Sequence, residues 1–199
     1  MNISTCSKCK RLSKNFSELK KNYPNYYNSP INPTGTINSK ICIIGLAPGL
    51  HGANRTGIPF DGDHTGRFLN KALDFINNKR ENIYLTNALK CYPPNNKPLA
   101  TELKNCLSFL KYELSIMKNL RVILSLGSIA HYSTIKALSL KRSEYKFKHA
   151  YIHKIHNNLH LINSYHCSKI NINNGRLTKK MFTEVVKKSI KIADNCKYE

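Results

Sequence analysis

Long hydrophobic runs are missing from this chain of 199 residues. The longest, around Ile41–Leu46 and Val122–Leu126, fall far short of the roughly 20 apolar residues that span a bilayer, so no membrane crossing is expected. No apolar segment of secretory type follows the polar start Met1-Asn2-Ile3-Ser4-Thr5, and an intracellular, reducing compartment is expected. Acidic residues are scarce, 11 against 32 Lys and Arg, for a formal charge of +21 with His neutral. Such a field attracts polyanions and opposes association with an equally basic copy, pointing to nucleic acid as partner and to a monomer. With 25 of the 32 basic residues Lys, in a chain also crowded with Asn and Ile, genome composition is the alternative source of the excess, and charge by itself is only moderate support for nucleic-acid binding. A nucleotide-cofactor fingerprint is absent as well. The glycine-rich run Gly45–Gly57 has neither the Gly-Lys-Ser/Thr ending of a P-loop nor a clean GxGxxG.

What is present begins with cysteine. Seven occur, four of them in two spaced pairs: Cys6-x2-Cys9, and Cys91 with Cys106, fourteen residues lying between them. In a reducing compartment, paired cysteines of this kind serve metal or cluster binding rather than disulfides. Cys-x2-Cys lets two sulfurs face one centre, and a second pair brought close by the fold completes a four-sulfur site. Donor chemistry alone leaves tetrahedral zinc and a four-iron cluster both open. Cys42 reads as a small strand hydrophobe and Cys196 as a free thiol near the terminus. Cys167 adjoins His166, but a Cys–His nucleophilic pair needs spatial contact, which sequence adjacency does not supply.

Short β-branched runs alternate with amphipathic stretches, which predicts a single α/β domain over 1–199. Strands are expected at Ile41–Ile44, Asn82–Asn87, Arg121–Leu126 and Asn158–Asn163. Helices are expected from Thr65 to about Asn77, Ala100 to about Lys118, Ser128 to about Leu138 and Thr178 to about Ala193. Residues 1–22 read as a cluster-binding segment and 23–39 as a Pro- and Asn-rich loop. Strand, loop and helix in repetition imply a mostly parallel four-stranded sheet flanked by helices. In such sheets ligands bind at the carboxyl ends of the strands. Gly45–Gly57 follows the first strand, Asn87 closes the second and His166 follows the fourth, so all three are expected on one edge.

Gly45-Leu46-Ala47-Pro48-Gly49 allows backbone amides to approach a ligand closely, with Pro48 stiffening the turn. Its continuation through Phe60-Asp61-Gly62-Asp63 adds an aromatic ring and two carboxylates to the same rim.

From Gly45-Leu46-Ala47-Pro48 through His51-Gly52-Ala53-Asn54-Arg55-Thr56-Gly57 and Gly62-Asp63, the chain resembles motif 1 of the family 5 uracil-DNA glycosylases, a branch of the uracil-DNA glycosylase superfamily. His166-Cys167-Ser168, with Asn171 and Gly175-Arg176-Leu177-Thr178, resembles motif 2 and its tail. Asn87 through Pro98 resembles the segment joining the base-reading Asn to a cluster cysteine. The resemblance runs in family order from Cys6 to about Thr178. It implies a 4Fe-4S cluster on Cys6, Cys9, Cys91 and Cys106, and excision of uracil and other deaminated bases from DNA. It departs from the family at Cys167. Leu46 stands where a cluster-bearing sister family has a water-activating Glu.

A glycosylase must extrude its target nucleotide from the duplex into a pocket. By the resemblance, Phe60 stacks on the base and Asn87 reads it, since a carboxamide offers a donor for uracil O4 and an acceptor for N3–H. His166, with backbone amides around Gly45, Leu46 and Ala47, donates to the negative charge developing on the leaving base. Asn54, Asp63 and Asn171 are the candidates for placing water. Lys169 and Arg176 are the candidates for phosphate contacts, and the apolar tips around Ile170 for a wedge in the vacated stack. The competing reading is a non-catalytic, cluster-bearing nucleic-acid-binding module of the same fold.

Overall fold

In the computed structural model the described residues are 3–195 apart from 78 and 157; Cys196 lies outside them. In chain order the elements are α1 (Lys10–Asn22), β1 (Ile41–Gly45), the single turn α2 (Ala53–Thr56), α3 (His64–Phe75), β2 (Tyr84–Asn87), α4 (Ala100–Ile116), β3 (Val122–Leu126), α5 (Ser128–Ala137), β4 (Ile152–His156), β5 (Leu159–Ser164), α6 (Lys169–Asn173) and α7 (Lys179–Asn195).

The strands form one sheet in the order β2-β1-β3-β5-β4. The four expected strands are mutually parallel, with Gly45 opposite Asn87, Ile44 opposite Ser125, and Leu126 opposite Ser164. Four strands were expected; a fifth, β4, pairs antiparallel with β5. Of its residues Ile152-His153-Lys154-Ile155-His156, His153 is buried, Ile152 and Ile155 are partly covered and Lys154 and His156 are exposed, so it lacks the continuous apolar run that marks the others.

Burial on both faces explains the apolar runs. Ile41, Ile43, Leu85, Val122, Leu124 and Ile162 pack beneath α3 and α7, against Leu69, Leu73, Phe182 and Val186. Their neighbours Cys42, Ile44, Tyr84, Ile123 and Leu161 turn to the other face and meet Leu110 and Leu114 of α4 and Ala130 and Ile135 of α5. A third cluster joins Leu12, Phe16 and Leu19 of α1 to Leu89, Tyr92 and Phe109.

Both sheet edges are occupied or disrupted. Beyond β2, Thr34 and Leu85 exchange backbone hydrogen bonds, the Thr34 N–H donating to Leu85 at 3.0 Å and the Leu85 N–H returning one at 2.8 Å. At the far edge, β4 has a register irregularity between an exposed Lys154 and His156. The chain leaves β1 for β2 on one side and then returns to β3 on the other, and a crevice opens at the carboxyl ends of β1, β2 and β5.

Candidate active site

That crevice is a cleft of about 620 Å³ lined by Leu46, Ala47, Pro48, Phe60, Asp63, Asn87, His166 and Lys169 among others. Three strand ends build it. Past β1 and β2 the backbones run on together, the Ala88 and Leu89 N–H groups donating to the Gly45 and Leu46 carbonyls, both at 2.9 Å. This fixes Asn87 beside Gly45. On the other side the Gly127 N–H donates to Ser164 at 2.8 Å, and a Cβ at Gly127 would lie 3.3 Å from the His166 Cβ. Only a residue without a side chain lets the two loops approach so closely at φ +96°.

His166 is half-buried, and burial lowers its pKa below the ordinary histidine value while the Asp63 carboxylate acts in the opposite direction. The imidazole is therefore neutral near pH 7 and carries one N–H donor. Asn171 acts behind it, its Nδ2 donating to the His166 carbonyl at 2.8 Å. Asn171 lines not the main cleft but a smaller neighbouring one, which shares Leu46 and His166 with it.

Asp63 caps α3, one oxygen accepting the Gly66 N–H at 2.9 Å. Its other oxygen, Oδ2, lies where a Cβ at Gly49 would come within 2.9 Å, so the carboxylate rests against the glycine loop on the cleft wall. Asn54 is placed differently from Asp63. It is fully buried in α2, its Nδ2 donates to Asn28 Oδ1 at 2.8 Å, and it is not among the lining residues. Its contact ties motif 1 to the 23–39 loop. Phe60 is buried, with φ +52°, and its ring stands over Gly45, where a Cβ would lie 2.8 Å from Cζ.

Lys169 is exposed at the cleft rim and Ile170 is three-quarters exposed beside it. Arg176 lies over the Tyr165 ring at 4.6 Å in the neighbouring cleft. Cys167 is fully buried in the core under α3 and α7, and burial raises its thiol to about 12, so it packs as a small hydrophobe. His51, part of motif 1, reaches the rim and its Nδ1 pairs with the Tyr26 hydroxyl at 3.0 Å. Its position inside motif 1 was the available signal.

Cys6, Cys9, Cys91 and Cys106 line one separate cavity closed by Leu12, Phe16, Leu89 and Phe109. Cys9 stands at the N-terminus of α1 and Cys106 inside α4. The two helices are tied by Arg11, which donates to both Glu102 oxygens at 2.7 and 2.8 Å. N–H donors face two of the sulfurs: Lys90 N to Cys106 at 3.3 Å and Asn105 Nδ2 to Cys9 at 3.5 Å. Among the described residues no group of three or more His, Cys, Asp or Glu side chains could hold a single metal ion. Four thiols around one cavity are a donor set of the kind that a tetrahedral zinc ion or a four-iron cluster accepts.

Sequence reasoning also missed a buried ion pair between this cavity and the cleft. Lys90 Nζ lies 2.7 Å from Glu113 Oε1 and donates to Oε2 at 2.8 Å and to Thr86 Oγ1 at 2.5 Å. Thr86 Oγ1 in turn donates to Glu113 at 2.9 Å. The pair anchors the segment from Asn87 to Cys91 onto α4. Nothing in its spacing set Lys90 apart from the other lysines.

The model of the uracil DNA glycosylase superfamily matches residues 33–189. The chain is similar to the Type-5 uracil-DNA glycosylase of Thermus thermophilus, 37% identical over 180 residues that cover 84% of this chain and 82% of that protein. It is 34% identical to the Type-5 uracil-DNA glycosylase of Pyrobaculum aerophilum over 204 residues, covering 94% and 88%. The Type-4 uracil-DNA glycosylase of Archaeoglobus fulgidus matches over a shorter stretch, 34% identical across 129 residues, or 64% and 57%. Among the described residues no helix is long and apolar enough to cross a membrane.

Proposed function

The chain belongs to the uracil DNA glycosylase superfamily, and from that membership we propose that it hydrolyses the N-glycosidic bond of uracil in DNA, opening base excision repair. The observation that carries this reading is the convergence of Phe60, Asp63, Asn87 and His166 on one cleft at the carboxyl ends of parallel strands. Hypoxanthine, xanthine and other deaminated bases belong to the same proposed substrate class.

An extruded base entering the cleft meets Phe60 on one face and the Asn87 carboxamide at its edge. Unstacking it from the duplex costs a few kcal/mol, which these contacts and those to the backbone offset. As the glycosidic bond lengthens, negative charge collects on the base and positive character on the sugar. A neutral His166 N–H can donate to the base oxygen as that charge develops, held in orientation by Asn171 on its backbone. Asp63, which lines the cleft together with His166, is the residue best placed to hold the attacking water and to favour the cationic sugar. Asn54 lies behind the cleft and Asn171 beside it, and neither takes that role. With bond breaking largely dissociative, positioning the water suffices without a strong base. Lys169 at the rim and Arg176 beyond it supply phosphate contacts, and Ile170 the apolar tip that fills the vacated stack.

The donor set fits a 4Fe-4S cluster on Cys6, Cys9, Cys91 and Cys106, supported by the meeting of the four thiols on one cavity and the two N–H groups directed at sulfur. Such a cluster would crosslink α1, the Cys91 loop and α4 without joining the hydrolysis. The chain is proposed to act as an intracellular monomer.

An oligonucleotide with a single uracil, incubated with the protein and then treated with alkali, tests the function. Cleavage at the uracil is expected, in the parent strand only after alkali. An intact strand with DNA binding retained would overturn the reading in favour of a non-catalytic binding module.

A further inference from the structure

Phe60 lines the cleft in a backbone conformation that works against an aromatic side chain. At φ +52° an aromatic residue occupies the left-handed region that its Cβ disfavours, yet the ring must stay there to stand over Gly45 beside Asn87. Packing beneath it leaves no slack, since a Cβ at Gly66 would come within 2.6 Å of the Phe60 carbonyl carbon. Such a conformation persists only where the surroundings over-determine it.

Arg80 supplies that determination. Its Nη1 donates to the Phe60 carbonyl and to Asn70 Oδ1 of α3, both at 2.9 Å, and its Nη2 donates to the Pro59 carbonyl. The guanidinium thus clamps two consecutive carbonyls of the turn to a helix. Its neighbours behave quite otherwise: Lys79 and Glu81 are largely exposed and meet each other at 3.9 Å. One residue of a charged surface turn has been turned inward. A planar guanidinium holds its N–H donors in a rigid fork that reaches acceptors on separate segments, whereas an ammonium's donors all radiate from one freely rotating nitrogen. We propose that Arg80 is a positioning residue of the base pocket, fixing the left-handed turn at Phe60 so that the ring is already in place when a flipped base enters.

The proposal rests on the glycosylase reading above, and its test separates the two. Arg80→Met and Arg80→Lys are compared with the unaltered protein in excision rate at saturating DNA, inhibition by free uracil, affinity for DNA carrying a stable abasic analogue, and melting. Arg80→Met should lower the saturated rate by about 10²-fold, the scale of a small misplacement of a binding group. It should also weaken inhibition by free uracil and leave abasic-analogue affinity unchanged, because that DNA brings no base to stack. Arg80→Lys should fall between. In fluorophenylalanine-labelled protein, the Phe60 fluorine resonance, assigned by its loss in Phe60→Leu, should shift or broaden in both variants whether or not the protein excises uracil. Unaltered excision and an unmoved Phe60 resonance in a folded variant would overturn the proposal, as would equal losses on abasic and uracil DNA. If Arg80→Met does not fold, Arg80→Lys carries the same outcomes. Unaltered protein that releases no uracil would overturn the glycosylase reading alone, and the resonance would still decide the role of Arg80.

Discussion

Asn87 stands directly opposite Gly45 on adjacent parallel strands, and its carboxamide oxygen occupies the space that a Cβ at Gly45 would need. Gly45→Ala should therefore push on both the Asn87 amide and the Phe60 ring while the sheet still forms. Excision of uracil is expected to fall by about 10²-fold, the consequence of displacing binding groups by a fraction of their contact distance. Single-turnover assays and melting on the same preparation check it.

Base choice should follow the same carboxamide. Asn87→Asp replaces the amide donor to uracil O4 by an acceptor, leaving a mismatched polar contact in a buried site. Uracil excision should drop sharply while cytosine opposite guanine gains relative to the unaltered protein. Unchanged uracil rates in both Asn87→Asp and Asn87→Ala would remove Asn87 from the role of base reader.

His166 governs both chemistry and pH response. His166→Ala should lower excision on the order of 10²–10³-fold, as loss of one transition-state donor does, with much less effect on DNA binding. Its folded pKa lies below the ordinary value of about 6.5, so in the window between them the unfolded chain binds more protons. The stability it contributes is complete above that value and is lost as pH falls through the folded pKa. His149 and His153, also lowered by burial, add to the loss. Denaturant titrations from pH 7.5 to 5 should show declining stability, less steeply in His166→Asn and more steeply in Asp63→Asn, which removes the carboxylate that favours the imidazolium.

Replacing Cys6, Cys9, Cys91 or Cys106 by Ala should lower iron, acid-labile sulfide and folded yield together, because binding a structural metal group is coupled to folding. Cys42→Ala, a change within the sheet, should leave iron content as it was. Stoichiometric zinc without iron in anaerobically reconstituted protein would overturn the cluster.

Removing the carboxylate of the buried pair while leaving its lysine should be costly. Glu113→Gln is expected to destabilise the protein by about 3–5 kcal/mol, the usual cost of stranding a buried charge. Lys90→Met combined with Glu113→Leu should recover most of that loss. Chemical denaturation of the three proteins provides the comparison.

The four parallel strands were legible because both their faces are covered, which writes an unbroken apolar run into the sequence. β4 was not, since an edge strand with one open side can carry Lys154 and His156 exposed, which breaks the apolar run. α1 sat unread inside a segment assigned to the cysteines, although Leu12, Phe16 and Leu19 recur at helical spacing. Phe60, Asp63, Asn87 and His166 could be found because each follows a strand or lies within a glycine-rich motif. Asn54 shares that motif yet turns inward to Asn28, and no pattern along the chain distinguishes a side chain facing the cleft from one facing its support. The same limit hid Arg80 and Lys90. What sets them apart from other basic residues is the acceptors that long-range folding brings to them.

The treatment of the two sheet edges bears on crowding. A repair protein attracted to a polyanion accumulates there far above its bulk concentration, side by side with copies of itself, and an open strand edge would then template fibril-like pairing. Thr34 already satisfies backbone groups beside β2, while the irregular register and exposed Lys154 at β4 spoil the opposite template. The chain can thus be dense on DNA without zippering to its neighbours, and solubility in that state is written into its margins rather than its overall charge, which DNA neutralises.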